Sequence, residues 1–97
     1  MDMTESFQPN LSIAELRLLG HLNRKWPLTE TVRPETAAMG GTANNNAEFV
    51  DMIQSLNDNG LILYEAFLME ASSGLRFIEM MITPRGKAAL RMAEVEA

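Results

Sequence analysis

The stretch FVDMIQSLNDNGLILYEAFL, residues 49–68, decides the fold of this chain, because it joins a helix to a strand through a glycine. Four apolar residues of its first half recur at the i, i+3, i+4, i+7 spacing of one helix face: Phe49, Met52, Ile53 and Leu56. Gly60 is the usual left-handed end of such a helix. The apolar run that follows, residues 61–68, predicts a strand.

A second strand and a last helix follow this first unit. Residues 75–82, LRFIEMMI, pair with residues 61–68 in a hairpin whose predicted loop is the six residues 69–74, MEASSG. Side chains alternate between the two faces of a strand, so the second strand is predicted to place Leu75, Phe77 and Met81 on one face. Arg76, Ile78 and Glu79 are offset from them. Thr83 is the predicted cap of the last helix, Pro84 is its first residue, and the helix runs to about Glu94.

The first helix is predicted upstream, from a cap to a proline. Ser12 and Glu15 have the spacing of a capping box. Apolar residues then recur at helical spacing: Leu11, Ala14, Leu18, Leu22 and Trp26. Pro27 ends this helix, because the residue before a proline is disfavoured in the α region.

A connector and a short second helix lie between these parts. Residues 27–33 form the connector, with room for a short extended piece. Pro34 opens the second helix, and the Gly40-Gly41 pair ends it. The third helix starts at a capping box made by Asn45 and Glu48.

The order helix, helix, helix, hairpin, helix predicts an α+β winged helix, with three helices, a two-stranded β-hairpin wing and a C-terminal helix. A lone hairpin is barely stable, so this one must pack on the helices. Residues 1–10 are polar and predict a flexible lead-in. Residues 11–97 form the single winged-helix domain.

Composition limits the classes of function. The chain has 97 residues, a net charge of −5 and no cysteine, so it has no disulfide and no thiolate nucleophile. The acidic balance disfavours nonspecific binding to nucleic acid or to an anionic membrane. No apolar run reaches the length of a membrane helix, and the first residues lack a secretory signal. We expect a soluble, cytoplasmic protein.

Catalysis and cofactor binding have no supporting motif. His21 is the single histidine, and its spacing suggests no metal or catalytic partners. Gly40-Gly41 lacks the lysine and the hydroxyl of a phosphate-binding loop. The carboxylates are scattered, so we expect no enzyme, no catalytic residue, no metal and no cofactor.

Two segments resemble the winged-helix regulators of the MarR and PadR families. FVDMIQSLNDNGLI, residues 49–62, is similar to their recognition helix and its Gly-Leu-Ile ending. GLRFIEMMITPRGKAAL, residues 74–90, is similar to their wing arginine, returning strand and Thr-x-x-Gly entry into the next helix. The resemblance spans residues 28–90 and implies binding to double-stranded DNA and regulation of transcription.

The resemblance places candidate DNA contacts at the third helix and the wing: Asn44, Asn45, Asn46, Gln54 and Arg76. Asparagine can pair with adenine edges, although capping and turn formation explain these asparagines equally well. The charge pattern opposes DNA binding. No lysine or arginine occurs between Arg33 and Arg76, and Asp51 would face phosphates.

A basic helix face is the second candidate site and suggests a protein partner. At 100° per residue, one face of the first helix carries four basic side chains: Arg17, His21, Arg24 and Lys25. They can hold phosphates or an acidic partner, or form an ordinary solvated face. Two positions are possible for Trp26. A buried Trp26 would pack at the end of the helix, and an exposed Trp26 would indicate an interface.

The last helix is the candidate for self-association. Its apolar and small residues allow close helix approach in a homodimer: Ala89, Leu90, Met92 and Ala93. The sequence therefore leaves two functions open. One is DNA binding in transcription regulation. The other is a winged-helix protein-interaction module that does not bind DNA.

Overall fold

Three α-helices and a four-stranded antiparallel sheet form the α+β fold of the chain. The computed structural model describes residues 11–37, 43–72 and 74–96. Residues 1–10 and the Gly40-Gly41 pair lie outside this part of the chain. The elements, in chain order, are α1 (Ile13–Lys25), β1 (Glu30–Val32), a 3-10 turn (Pro34–Ala37), α2 (Ala43–Asp58), β2 (Ile62–Leu63), β3 (Ala66–Glu70), β4 (Gly74–Ile82) and α3 (Pro84–Glu96).

The ends of α1 confirm the local sequence signals. The Ser12 amide donates to Glu15 Oε1 at 2.7 Å, and the Glu15 amide donates to Ser12 Oγ at 3.1 Å. This reciprocal pair satisfies two amides that the helix leaves without intrahelical partners. The helix ends at Lys25, two residues before Pro27.

The second and third helices differ from the prediction. Where a second helix was expected, the described residues form one 3-10 turn, Pro34–Ala37. The Arg33 amide donates to Thr36 Oγ1 at 3.1 Å and secures that turn. α2 begins at Ala43, so Asn45 lies inside the first turn and is not the N-cap. Local signals locate such ends only to within a residue or two.

The sheet is built around β4, which pairs with the other three strands. β1 lies on one side of β4, and β2 lies on the other. The predicted first hairpin strand is split at residues 64 and 65 into β2 and β3, although both parts pair with β4. Glu70 pairs with Gly74, so the hairpin loop is shorter than the predicted six residues.

A β-bulge at Glu79 changes which side chains of β4 face the core. Glu30 of β1 pairs with Met80, whereas Val32 pairs with Phe77, so β4 carries an extra residue in this interval. Glu79 takes a φ of 54°, in the left-handed region. The prediction that Met81 faces inward with Phe77 is therefore wrong. Met80 is 0% exposed, and Met81 is only half-buried.

The core confirms the predicted helix stripes. Phe49, Ile53 and Leu56 of α2 are fully buried with Leu18 and Leu22 of α1. The inner face of β4 covers them through four side chains: Leu75, Phe77, Met80 and Ile82. Phe77 is central, since its ring centroid lies 5.7 Å from that of Phe49 and 4.7 Å from those of Tyr64 and Phe67.

The segment after α2 and the start of α3 meet through Thr83. Its Oγ1 donates to the Gly60 carbonyl at 2.6 Å and accepts from the Gly86 amide at 2.9 Å. The Thr83 amide donates to the Leu61 carbonyl at 3.0 Å. Gly86 then lies directly against Leu61, which leaves no room for a Cβ. The Gly-Leu-Ile and Thr-x-x-Gly segments therefore contact each other in the fold.

Adding a methyl group to Gly20 or to Gly86, the two glycines inside described helices, is expected to change stability in opposite directions. A Cβ at Gly86 would run into the Leu61 carbonyl oxygen and lie 2.7 Å from Ile82 Cγ1, whereas one at Gly20 would meet only Arg24 Nη1 at 3.7 Å. We expect Gly86→Ala to lower the free energy of unfolding by about 3 kcal/mol. Gly20→Ala should raise it by up to about 1 kcal/mol. Urea unfolding followed by Trp26 fluorescence measures both, and equal effects would contradict this account.

The bulge predicts a second pair of variants at one position. An L-residue in the left-handed region costs about 1–2 kcal/mol, and a β-branched side chain fits there worst. Glu79→Val should therefore be less stable than Glu79→Gly by at least about 1–2 kcal/mol in the free energy of unfolding. Glu79→Gly should be at least as stable as the wild type. If the Glu79→Val variant proved as stable as the glycine variant in the same urea titration, the position would be unstrained.

Candidate functional site

An open groove of about 550 Å³ lies along α1. α1 contributes six of its lining residues: Ile13, Leu16, Arg17, Gly20, His21 and Arg24. The other lining residues come from α3 and the 3-10 turn: Leu90, Ala93, Glu94 and Thr36. The groove thus joins part of the predicted basic face to part of the predicted dimerisation helix.

α1 and α3 run antiparallel beside this groove. Ile13, at the start of α1, shares the groove with Ala93 near the end of α3. Trp26 follows the end of α1 and meets Lys87 in the first turns of α3. The apolar floor is therefore supplied by two helices, and a ligand lying along α1 contacts both.

Gly20 leaves the middle of the groove open. It sits inside α1, where a glycine costs about 1 kcal/mol relative to alanine. No side chain rises from this position, and the nearest atom to an added Cβ is Arg24 Nη1. Ile13, which is 70% exposed, and the half-buried Leu16 extend the apolar surface toward the start of α1.

Two arginines give the groove its positive charge. Arg17 and Arg24 are exposed and lie seven residues apart, about two helical turns. Within residues 11–37, 43–72 and 74–96, neither of them forms an ion pair. Glu94 is the one acid in the lining. The predicted basic face is therefore divided, because the exposed Lys25 does not line the groove.

His21 connects the groove to the sheet. Its Nε2 lies 2.8 Å from Glu30 Oε2, and both side chains are about three-quarters covered. Glu30 Oε1 is buried and has no hydrogen-bond partner among the described residues. The histidine therefore holds β1 against α1, and the charge available to a ligand comes from the two arginines.

The candidate dimerisation residues of α3 fall into two groups. Ala89 and Leu90 are 8% and 7% exposed and belong to the core of the same chain. Ala93 is half-buried in the groove, whereas Met92 is 43% exposed. Val95, which is absent from the predicted set, is 80% exposed and follows Met92 by three residues on the helix.

The helix that contains four of the candidate DNA contacts, α2, is acidic. The side chains of Asn44 and Asn45 lie outside the described residues, and Asn46 is half-buried in the first turns of α2. Gln54 is exposed as predicted. The same helix exposes three acids and contains no lysine or arginine: Glu48, Asp51 and Asp58. This surface repels phosphate.

Arg76, the predicted wing contact, is largely covered. Its side chain is 17% exposed, and its Nη1 lies 3.4 Å from Glu70 Oε1 on the neighbouring strand. A phosphate would have to compete with this carboxylate for the guanidinium. The arrangement reduces the positive charge that the hairpin can offer to DNA.

Trp26 is exposed and is not packed beneath the connector. The side chain is 45% exposed, and Lys87 Nζ lies 3.1 Å from the centroid of its ring. Such a cation–π contact holds both side chains in place at the end of α1. Leu28, two residues on, is 69% exposed.

Comparisons with known proteins identify no relative: no family model, no curated protein and no solved structure matches the chain. Nor do residues 11–37, 43–72 and 74–96 bring together three or more His, Asp or Glu side chains as metal ligands. In the same part of the chain, no helix has the length and apolar character needed to span a bilayer. The ligand of the groove along α1 is therefore inferred from the residues that line the groove.

The acidic face of α2 predicts weak binding to DNA. Each phosphate neutralised contributes about −0.9 to the slope of log K against log salt, so the wild type should show weak affinity and a shallow slope. Asp51→Lys should raise the affinity for random duplex, and Asp51→Asn should raise it less. Fluorescence anisotropy across a salt series tests this. Tight wild-type binding with a steep slope would reveal a basic DNA-binding surface elsewhere.

Proposed function

We propose that this chain is a protein-interaction module whose groove along α1 binds an acidic, amphipathic segment of another protein. The observation that carries the proposal is the pairing of two exposed arginines with an apolar floor. Arg17 and Arg24 rise beside Gly20, and neither is engaged by a carboxylate of the described chain. Arginine binds carboxylates bidentately, which gives direction as well as affinity.

An amphipathic helix is the partner segment that fits this shape best. Residues 13–24 of α1 extend about 17 Å, which matches about three turns of a second helix. Such a helix would set apolar residues at i, i+3 or i+4, and i+7 on the floor made by Leu16, Gly20 and Leu90. Glutamate or aspartate at its flanks would meet Arg17 and Arg24.

The resemblance to winged-helix regulators supports DNA binding, but the distribution of charge favours the protein partner. α2 exposes Glu48, Asp51 and Asp58 where DNA would have to lie, and Arg76 is paired with Glu70. In the groove, positive charge is instead presented by Arg17 and Arg24 of α1. Winged-helix membership, a homodimer and a cytoplasmic location stay predictions of the sequence.

Selection from a random peptide library tests the proposal without a known partner. We expect a displayed library of 16-residue peptides, selected against the full chain, to yield acidic sequences with apolar residues at helical spacing. Their affinity should fall at least about tenfold, or 1.4 kcal/mol, when Arg17 and Arg24 are both changed to Glu, because two charge-assisted pairs are lost. Fluorescence anisotropy with the selected peptides measures the loss.

Two further variants separate the groove from general charge. Lys25→Glu has the same charge change as each arginine variant and lies on the same helix, but outside the groove, so it should leave affinity nearly unchanged. Gly20→Leu fills the floor and should abolish binding while circular dichroism shows an intact fold. Selection of basic peptides, or binding that survives Gly20→Leu, would refute the proposed function.

A further inference from the structure

The hairpin carries a second surface, separate from the groove, and its features define a different partner. We infer that the free edge of β3 accepts an extended strand from another protein, with alternating apolar residues and a lysine or arginine at each end. The inference depends on the backbone of β3 and on the charge of residues 65–79. It does not depend on the groove along α1.

The pairing of β3 leaves one row of its backbone groups open. Among the described strands, β3 pairs with β4 alone. The Glu65 amide donates to the Ile78 carbonyl at 2.9 Å. The carbonyl of Ile78 therefore faces β3, and its register partner Ala66 bonds toward β4 together with Leu68 and Glu70, because backbone groups alternate sides along a strand. The amides and carbonyls of Phe67 and Met69 then face the open edge.

β3 lacks the sequence features that usually prevent an edge strand from pairing with another chain. Natural edges carry lysine, proline or bulges that discourage pairing, and none of these occurs within Ala66–Glu70. The opposite edge, β1, is only three residues long and is followed closely by Pro34. β3 is therefore the more receptive edge of this sheet.

Apolar side chains beside the edge provide a surface that an added strand can bury. Phe67 is 40% exposed and Met69 is 66% exposed, and both lie on the face of β3 that continues from Phe77. Leu68 lies on the other face and is half-buried. A strand with alternating apolar residues would therefore bury surface on the face of Phe67 and Met69 while its backbone completed the sheet.

The charge of the hairpin selects a basic partner over a second copy of the chain. Residues 65–79 contain Glu65, Glu70 and Glu79 against Arg76, a net charge of −3 + 1 = −2. Arg76 is already paired with Glu70. A second copy would bring its own hairpin charge of −2 to the edge, and like charges disfavour that pairing. Lysine or arginine at the ends of the added strand would instead meet the carboxylates of the hairpin.

Hydrogen exchange with a defined probe tests the inference. The probe is the peptide Lys-Lys-Val-Thr-Val-Thr-Val-Lys-Lys, and its control replaces every lysine with glutamate. At a saturating concentration of the lysine peptide, the amides of Phe67 and Met69 should exchange about tenfold more slowly, because strand pairing protects the edge amides. The amides of Ala66, Leu68 and Glu70, which bond toward β4, should change little. The glutamate peptide should protect none of them.

Charge reversal supplies the matched control. Glu65→Lys should weaken binding of the lysine peptide about fivefold, the range of an exposed ion pair. Asp58→Lys makes the same charge change at the end of α2 and should have no effect. Amide spectra of both variants confirm that the sheet is formed.

Three results would overturn the inference. The first is no binding of the lysine peptide. The second is binding that protects no alternating set of amides, which would indicate side-chain docking. The third is protection of the Phe67 and Met69 amides that rises with protein concentration in the absence of peptide, which would assign the edge to a second copy. None of these results bears on the groove along α1, so the two proposals fail independently.

Discussion

The contact between Gly86 and the Leu61 carbonyl is the constraint on which the placement of the other elements depends. It holds the first turn of α3 against the segment that follows α2. Thr83 donates hydrogen bonds to the carbonyls of Gly60 and Leu61 in the same segment. Because Thr83 directly follows β4, this contact also fixes where the sheet ends. The direction of α3 follows from it, and the groove exists because α3 then runs antiparallel to α1.

The charged side chains that make up the net charge of −5 are distributed unevenly over the surface. α2 and the hairpin expose acids, and the hairpin's arginine is paired within the hairpin. The two exposed arginines of the groove are outside any described ion pair. The two proposed sites, a groove with two arginines and an acidic strand edge, would therefore contact partners of opposite charge.

Local chemistry explains which predictions were correct. The Ser12–Glu15 box, the α2 core stripe and the cap at Thr83 each depend on residues within a turn or two, so a sequence pattern is enough to predict them. The bulge at Glu79 is different, because it is defined by how β1 aligns with β4. No nearby glycine marks it, and a one-residue change of phase moves Met80 into the core and Met81 out of it.

The sequence by itself determined the helix stripes, the hairpin and the existence of a basic face on α1, since periodicity and side-chain charge are properties of the chain. It also contained a hint of the groove, because a glycine inside an amphipathic helix lowers stability unless its small size is needed. Only the tertiary structure decided that Arg17 and Arg24 flank an apolar floor shared with α3, and that Arg76 is paired with Glu70. The physical reason is that these relations join residues far apart in sequence, and packing alone brings them together.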